Sequence, residues 1–234
     1  MKTHDEVLDQ YLAPTYFLDS DNPRVAEFAA DLARDGKDDR QKAILLYYGV
    51  RDLIRYDPYS FEDSRKSMKA SSVLEKKVGF CVPKAVLLAA VARAQKVPSR
   101  LGFADVKNHL TTRRLRSYMD TELFVYHGYV ELFIQGKWVK ATPAFNLSLC
   151  TGFNVKPLEF DGIHDSIFHE FDTLGNRHME YVADHGHFSD LPFDLIFTAF
   201  RKAYPRIFEL NARLRAGDFH QEAADENPVD PGRE

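Results

Sequence analysis

Cys81 and His127 are the residues of this 234-residue chain whose settings best fit nucleophilic chemistry. Cys81 stands in Gly79-Phe80-Cys81-Val82-Pro83, at the head of the Ala/Leu/Val-rich run Pro83–Lys96, which has no glycine and reads as a core helix. Proline is tolerated only in a first helical turn, so Pro83 marks the helix start and puts Cys81 at or just before it. Unsatisfied N–H groups and the positive dipole end collect there. A thiolate at that place is stabilised, so the position predicts a lowered thiol pKa and a nucleophilic sulfur. The bland alternative is a buried structural cysteine, since free cysteine is among the most buried residue types.

A thiol nucleophile needs a base and a group that orients the base. His127 lies inside Leu123–Ile134, an aromatic and β-branched strand, next to Gly128. A histidine simply satisfied in the core is the alternative. Gln135-Gly136 followed by Lys137–Thr142 reads as a hairpin return. A two-residue loop pairs Ile134 with Lys137 and sets His127 opposite Ala144. Thr142 and Asn146 then share the face of His127, on either diagonal. Asn146 is the better orienter, because its amide oxygen can accept the Nδ1–H bond. Glu131 is on that face too, but about 13 Å along the strand, and a buried partner such as Arg100 suits it better. A one-residue slip would reverse these faces.

The elements around these residues are mostly helical upstream. Asn22-Pro23 opens one helix as cap and first position, ending at Asp35-Gly36. A second runs from about Asp38 to Arg55, and Ser71-Ser72 heads a short helical turn. Residues 107–121, with the basic knot Arg113-Arg114-Leu115-Arg116, read as a solvated loop. Residues 143–190 read as irregular, with one more hairpin centred on Leu174-Gly175-Asn176. Pro192 opens a last helical stretch, interrupted at Pro205. Residues 1–215 are expected to form a single domain with its core at about 40–146, and 216–234 a disordered tail.

Composition narrows the function. The net charge of −4, from 31 Lys+Arg and 35 Asp+Glu, favours neither nucleic acid nor a membrane surface. No apolar run approaches the roughly 20 residues of a membrane span, and the polar start Met1–Glu6 is no signal peptide. Two cysteines without an export signal, Cys81 and Cys150, point to a reducing cytoplasm. No Cys-x-x-Cys supports a redox role. His164, His169, His178, His185 and His187 raise the metal question, but no ligand spacing supports a site. Neither metal nor cofactor is expected, calcium included.

The motifs together resemble the transglutaminase-like superfamily. Gly79-Phe80-Cys81, the helix and Val97-Pro98-Ser99-Arg100 resemble its cysteine block. His127-Gly128-Tyr129-Val130-Glu131 resembles its His-x-Trp-x-Glu strand. Gly136-Lys137-Trp138-Val139 with Thr142-Pro143 resembles its Gly-x-Trp…Asp-Pro-Thr block, and Ile54-Arg55-Tyr56 its upstream helix end. The resemblance covers about residues 40–146. It implies an α+β, papain-like fold with the cysteine-bearing helix packed on an antiparallel β-sheet. It also implies thiol acyl chemistry on a peptide, protein or small amide substrate, as a cysteine protease, amidase or amine acyltransferase, with Cys81 as nucleophile and His127 as general base and acid. The backbone N–H of Cys81, and Tyr56 as a further donor, would hold the oxyanion. The family's third residue is an Asp; here Thr142 stands in its place. Asn146 then substitutes, or the site runs as a dyad, or it is impaired and the protein is a scaffold that binds a partner. Replacing Cys81 with Ala discriminates: an enzyme loses acyl transfer and keeps its stability, whereas a scaffold keeps its partner binding. A catalytic Cys81 of lowered pKa should also react with iodoacetamide well below pH 7, in a manner lost in His127→Ala, with Cys150 as internal reference.

Overall fold

The computed structural model describes residues 8–109, 111–167, 179–209 and 216–227. Helix α1, Pro23–Leu32, begins as its sequence dictates, with Asn22 accepting from Arg24 N–H at 3.1 Å. Helix α2, Asp39–Leu53, is capped by Asp38. The chain then forms β1, Arg55–Tyr56, and after a polar stretch α3, Ala70–Lys76, and β2, Val78–Gly79. Strands β1 and β2 pair in parallel, Arg55 with Val78 and Tyr56 with Gly79. This short ladder delivers the chain to α4, Cys81–Ala94, whose side chains from Cys81 to Arg93 are all buried. An all-round apolar helix belongs inside a core, and here it lies under the main sheet.

That sheet is antiparallel, in the order β5-β4-β3-β6, from β3 (Ser99–Asn108), β4 (Leu123–Ile134), β5 (Lys137–Ala141) and β6 (Met179–Phe188). The fold class is therefore α+β, with the cysteine helix against an antiparallel sheet, as expected. The hairpin register is also as expected: Ile134 faces Lys137 across the two-residue turn. Arg100 pairs with Glu131 through its Nε, both largely buried.

Several expectations fail for identifiable reasons. The β4–β5 ladder stops at Val130–Ala141. Pro143 cannot donate to a ladder, and Thr142 N–H turns instead to Ser166 O at 2.8 Å. So Ala144 does not pair with His127. Residues 113–119 are not a loop but helix α5, Arg113–Met119, capped by Thr112 and anchored by buried Leu115 and Met119. Helix α6, Leu147–Gly152, occupies part of the stretch read as irregular. The hairpin expected around Leu174-Gly175-Asn176 lies outside the described residues. Helices α7, Phe193–Ala203, and α8, Pro205–Glu209, follow Pro192 and break at Tyr204-Pro205, as the prolines require. The tail expected to be disordered contains helix α9, Phe219–Glu226, which buries Phe219 and Ala223.

Two buried cations tie loops to this frame. Arg93, on α4, donates to Ala13 O, Ser99 O and Ser189 O, joining the N-terminal segment, the start of β3 and the approach to α7. Burial lowers its pKa to about 10. Lys84 Nζ donates to Arg51 O at 2.8 Å and to Ile54 O, both at the end of α2. The Asn146 amide donates to the same two carbonyls and accepts from Tyr56 N–H at 2.5 Å.

Asn146→Ala therefore orphans the buried Tyr56 N–H and thins the capping of α2. Leaving a buried donor unsatisfied costs about 1–3 kcal/mol. Urea unfolding should show a loss of that size, and an unchanged midpoint would contradict the clamp.

Candidate active site

Cys81 is the first residue of α4, and Phe80, its N-cap, offers no side-chain cap. The first N–H groups of the helix are therefore left for the sulfur. The thiol receives N–H groups from Gly128, Val82 and Cys81 itself, which lower its pKa, but burial is the larger effect and pushes it up to about 11. This corrects the expectation of a lowered pKa: the helix terminus acts as foreseen, but the sulfur is 7 % exposed as a residue and its desolvation outweighs the donors.

Local backbone explains the glycines. Gly79 has no left-handed φ; the left-handed residue is Lys77, at φ 51°, which closes α3. Gly79 is needed for space, because a Cβ there would stand 3.0 Å from Pro83 Cγ. At Gly128 a Cβ would meet Val82 Cα at 3.1 Å and Cys81 O at 3.3 Å. Only glycine lets β4 approach the head of α4 so closely that its N–H reaches the thiol.

His127 is presented by an irregularity that alternation cannot reveal. Register between β3 and β4 shifts from Ala104–His127 to Val106–Phe124, so β4 carries one extra residue. Tyr126 sits there at φ 52°. The bulge is held from two sides: Tyr126 N–H donates to Asp105 Oδ1 at 2.9 Å, and Val125 N–H donates to the Tyr204 hydroxyl at 2.6 Å, which itself donates to Leu123 O. His185 stacks on Tyr126, with ring centroids 3.9 Å apart, and its Nε2 is 2.7 Å from Asp105 Oδ1. His164 is exposed and paired with Asp161. Among the described residues no three metal-binding side chains gather.

Cys81 and His127 line one pocket. Tyr56 and Tyr204 line it as well. The Tyr204 hydroxyl is committed to the bulge, whereas that of Tyr56 makes no hydrogen bond to another described residue. Burial raises the pKa of Tyr56 well above the usual phenol value, so it stays a donor. The sequence singled out Tyr56 and missed Tyr204, which lies far along the chain and carries no motif.

On its other side His127 lines a smaller cavity with Thr142, Ala144 and Phe145. Thr142 is thus beside the imidazole, but its hydroxyl donates to Ile167 O at 3.1 Å, leaving acceptor lone pairs only. Asn146 is not available as the orienter. Its amide oxygen accepts from Tyr56 N–H and its NH2 group holds Arg51 O and Ile54 O, so it serves the fold beneath the site. The hairpin ending at Ala141 is what removed it from the face of His127.

Comparison with known proteins gives a family for the chain. A family model described as "Transglutaminase-like superfamily" matches residues 26–143, half of the chain, including Cys81, His127 and Thr142. No curated protein matches. Among solved structures, one from Cytophaga hutchinsonii, described as a "Putative Cysteine Protease", aligns with a TM-score of 0.46 at 17% identity over 61% of this chain and 43% of that one. One from Parabacteroides distasonis, described as a "putative protease", aligns with a TM-score of 0.39 at 17% identity over 61% of this chain and 26% of that one. This chain matches less than half the length of either. No helix among the described residues is long and apolar enough to cross a membrane.

A thiol of pKa about 11 is protonated at neutral pH, and its thiolate fraction grows about tenfold per pH unit up to that value. Iodoacetamide alkylation of Cys81 should therefore keep accelerating from pH 7 to beyond pH 9.5. A rate already level below pH 7 would contradict the buried, un-ionised thiol.

Proposed function

Because the chain belongs to the transglutaminase-like superfamily, we propose that it is a cysteine-dependent enzyme acting on acyl carbonyls through a Cys81 acyl-enzyme. The observation that carries this reading is the shared pocket of Cys81 and His127 at the uncapped start of α4. Cys81 is the nucleophile. Since burial keeps the thiol protonated, His127 takes the proton as sulfur attacks the carbonyl, rather than holding a preformed ion pair. The tetrahedral oxyanion is met by backbone N–H groups at the helix start and by the Tyr56 hydroxyl. His127 then returns the proton to the leaving group. Water resolves the thioester in a protease or amidase, and an amine resolves it in an acyltransferase. Thr142 lines the cavity on the other side of the imidazole, and it brings none of the charge by which a carboxylate there would stabilise an imidazolium.

A second reading is favoured by Thr142 itself, an uncharged residue whose hydroxyl proton is already spent on Ile167 O. On that reading the domain binds a partner and has lost turnover.

The kinetics of purified variants on acyl anilides test the first reading. Cys81→Ala should abolish turnover without lowering the unfolding midpoint. His127→Ala should reduce kcat by roughly 10²–10⁴-fold. Tyr56→Phe should reduce kcat by about 10²-fold with KM little changed, as removal of an oxyanion donor does. Turnover that survives Cys81→Ala would overturn the reading.

A further inference from the structure

The pocket beside Cys81 differs chemically from what a glutamine or a charged peptide side chain would need. Apart from Cys81, His127 and the two tyrosines, every described residue lining it is apolar, and none of them is charged. The Tyr204 hydroxyl is occupied by Leu123 O and Val125 N–H. Beyond the reacting centre, the described walls therefore offer a bound group no hydrogen-bonding partner. A carboxamide or a charge placed there would be desolvated without compensation.

The apolar wall is also preformed. Phe61 contacts Phe80 at a centroid distance of 6.0 Å and Phe208 at 5.1 Å, and Phe80 contacts Phe200 at 6.4 Å. Met119, from α5, lines the same pocket and is itself buried. The rings gather from the segment after β1, from the N-cap of α4 and from α7 and α8, so several elements close on one apolar space next to the sulfur.

The geometry points to an acyl-binding subsite: the substrate class is an amide or thioester of an apolar acyl group, aliphatic or aryl, whose hydrocarbon part fills this pocket while its carbonyl meets Cys81. This deepens the acyl-transfer reading above and rests on it. In the step, the Cys81 Sγ–acyl bond forms as the bond from the carbonyl carbon to the leaving nitrogen or sulfur breaks. The thiol proton passes through His127 to the leaving atom. Water then adds to the thioester, releasing the carboxylic acid and restoring the thiol. No oxidant or reductant takes part.

The test uses the full chain with p-nitrophenyl esters of acetyl, butanoyl, hexanoyl and octanoyl groups, following nitrophenolate release and the mass added to Cys81. Burying each methylene is worth about fourfold in binding, so kcat/KM should rise by about that factor per methylene until the pocket is full. Met119→Glu, which touches no reacting atom, should lower kcat/KM for the octanoyl ester at least tenfold more than for the acetyl ester. Acylation of Cys81 at rates independent of chain length would overturn the subsite and leave the thiol enzyme standing. Ester consumption unchanged in Cys81→Ala would overturn both. Should Met119→Glu fail to fold, the chain-length series on the unaltered protein decides alone.

Discussion

The structure depends on how the end of α2 is buried. The last carbonyls of a helix lack intrahelical donors, and here Arg51 O and Ile54 O are shut inside the protein. Lys84 from the cysteine helix and Asn146 from the end of the hairpin both donate to them. Asn146 also accepts from Tyr56 N–H. One small polar knot thus joins α2, β1, α4 and the segment after β5. Lys84 is one turn along α4 from Cys81, so the knot sets the height of the nucleophile's helix as well as the position of Tyr56. The arrangement is costly: desolvation drives the Lys84 pKa well below its usual value, opposed by nearby Asp52. An ammonium with both carbonyls removed would be an uncompensated buried charge, which is why the members of such a knot act together.

The same economy governs the site. Cys81 is held by packing and its chemistry is tuned by donors. Gly128 matters twice, once for the room its missing side chain leaves and once for the N–H it brings to the sulfur. The bulge at Tyr126 aims His127, and its two supports, Asp105 and Tyr204, come from β3 and from the end of α7. The nucleophile is thus placed by a helix and the base by a strand, each braced from outside the pair.

Much of this was readable in the sequence. Pro83 marks the head of α4, the aromatic run 123–134 marks β4, and Gln135-Gly136 sets the hairpin register; each is a local rule acting without competition. The Arg100–Glu131 pair followed from strand spacing. What could not be read arises where tertiary contacts override periodicity. Pro143 and the bridge to Ser166 end β5 early, so Asn146 leaves the face of His127 and joins the knot below. A left-handed Tyr126 has no sequence signature, and Tyr204 earns its place only through the folded chain. Helix α9 hides because only Phe219 and Ala223 of its eight residues are buried apolar anchors. The thiol pKa departs from the helix-terminus expectation for a related reason: position on a helix is visible in sequence, and burial of the sulfur is not.

The central claim is that Cys81 carries an acyl group in turnover. Acid quenching during the first turnover of an octanoyl ester, followed by peptide mass spectrometry, reads this directly. The account predicts the octanoyl mass on the peptide containing Cys81, absent from that containing Cys150, whose thiol is buried and pushed up to about 12. Substrate consumed while Cys81 stays unmodified at every quench time would contradict it.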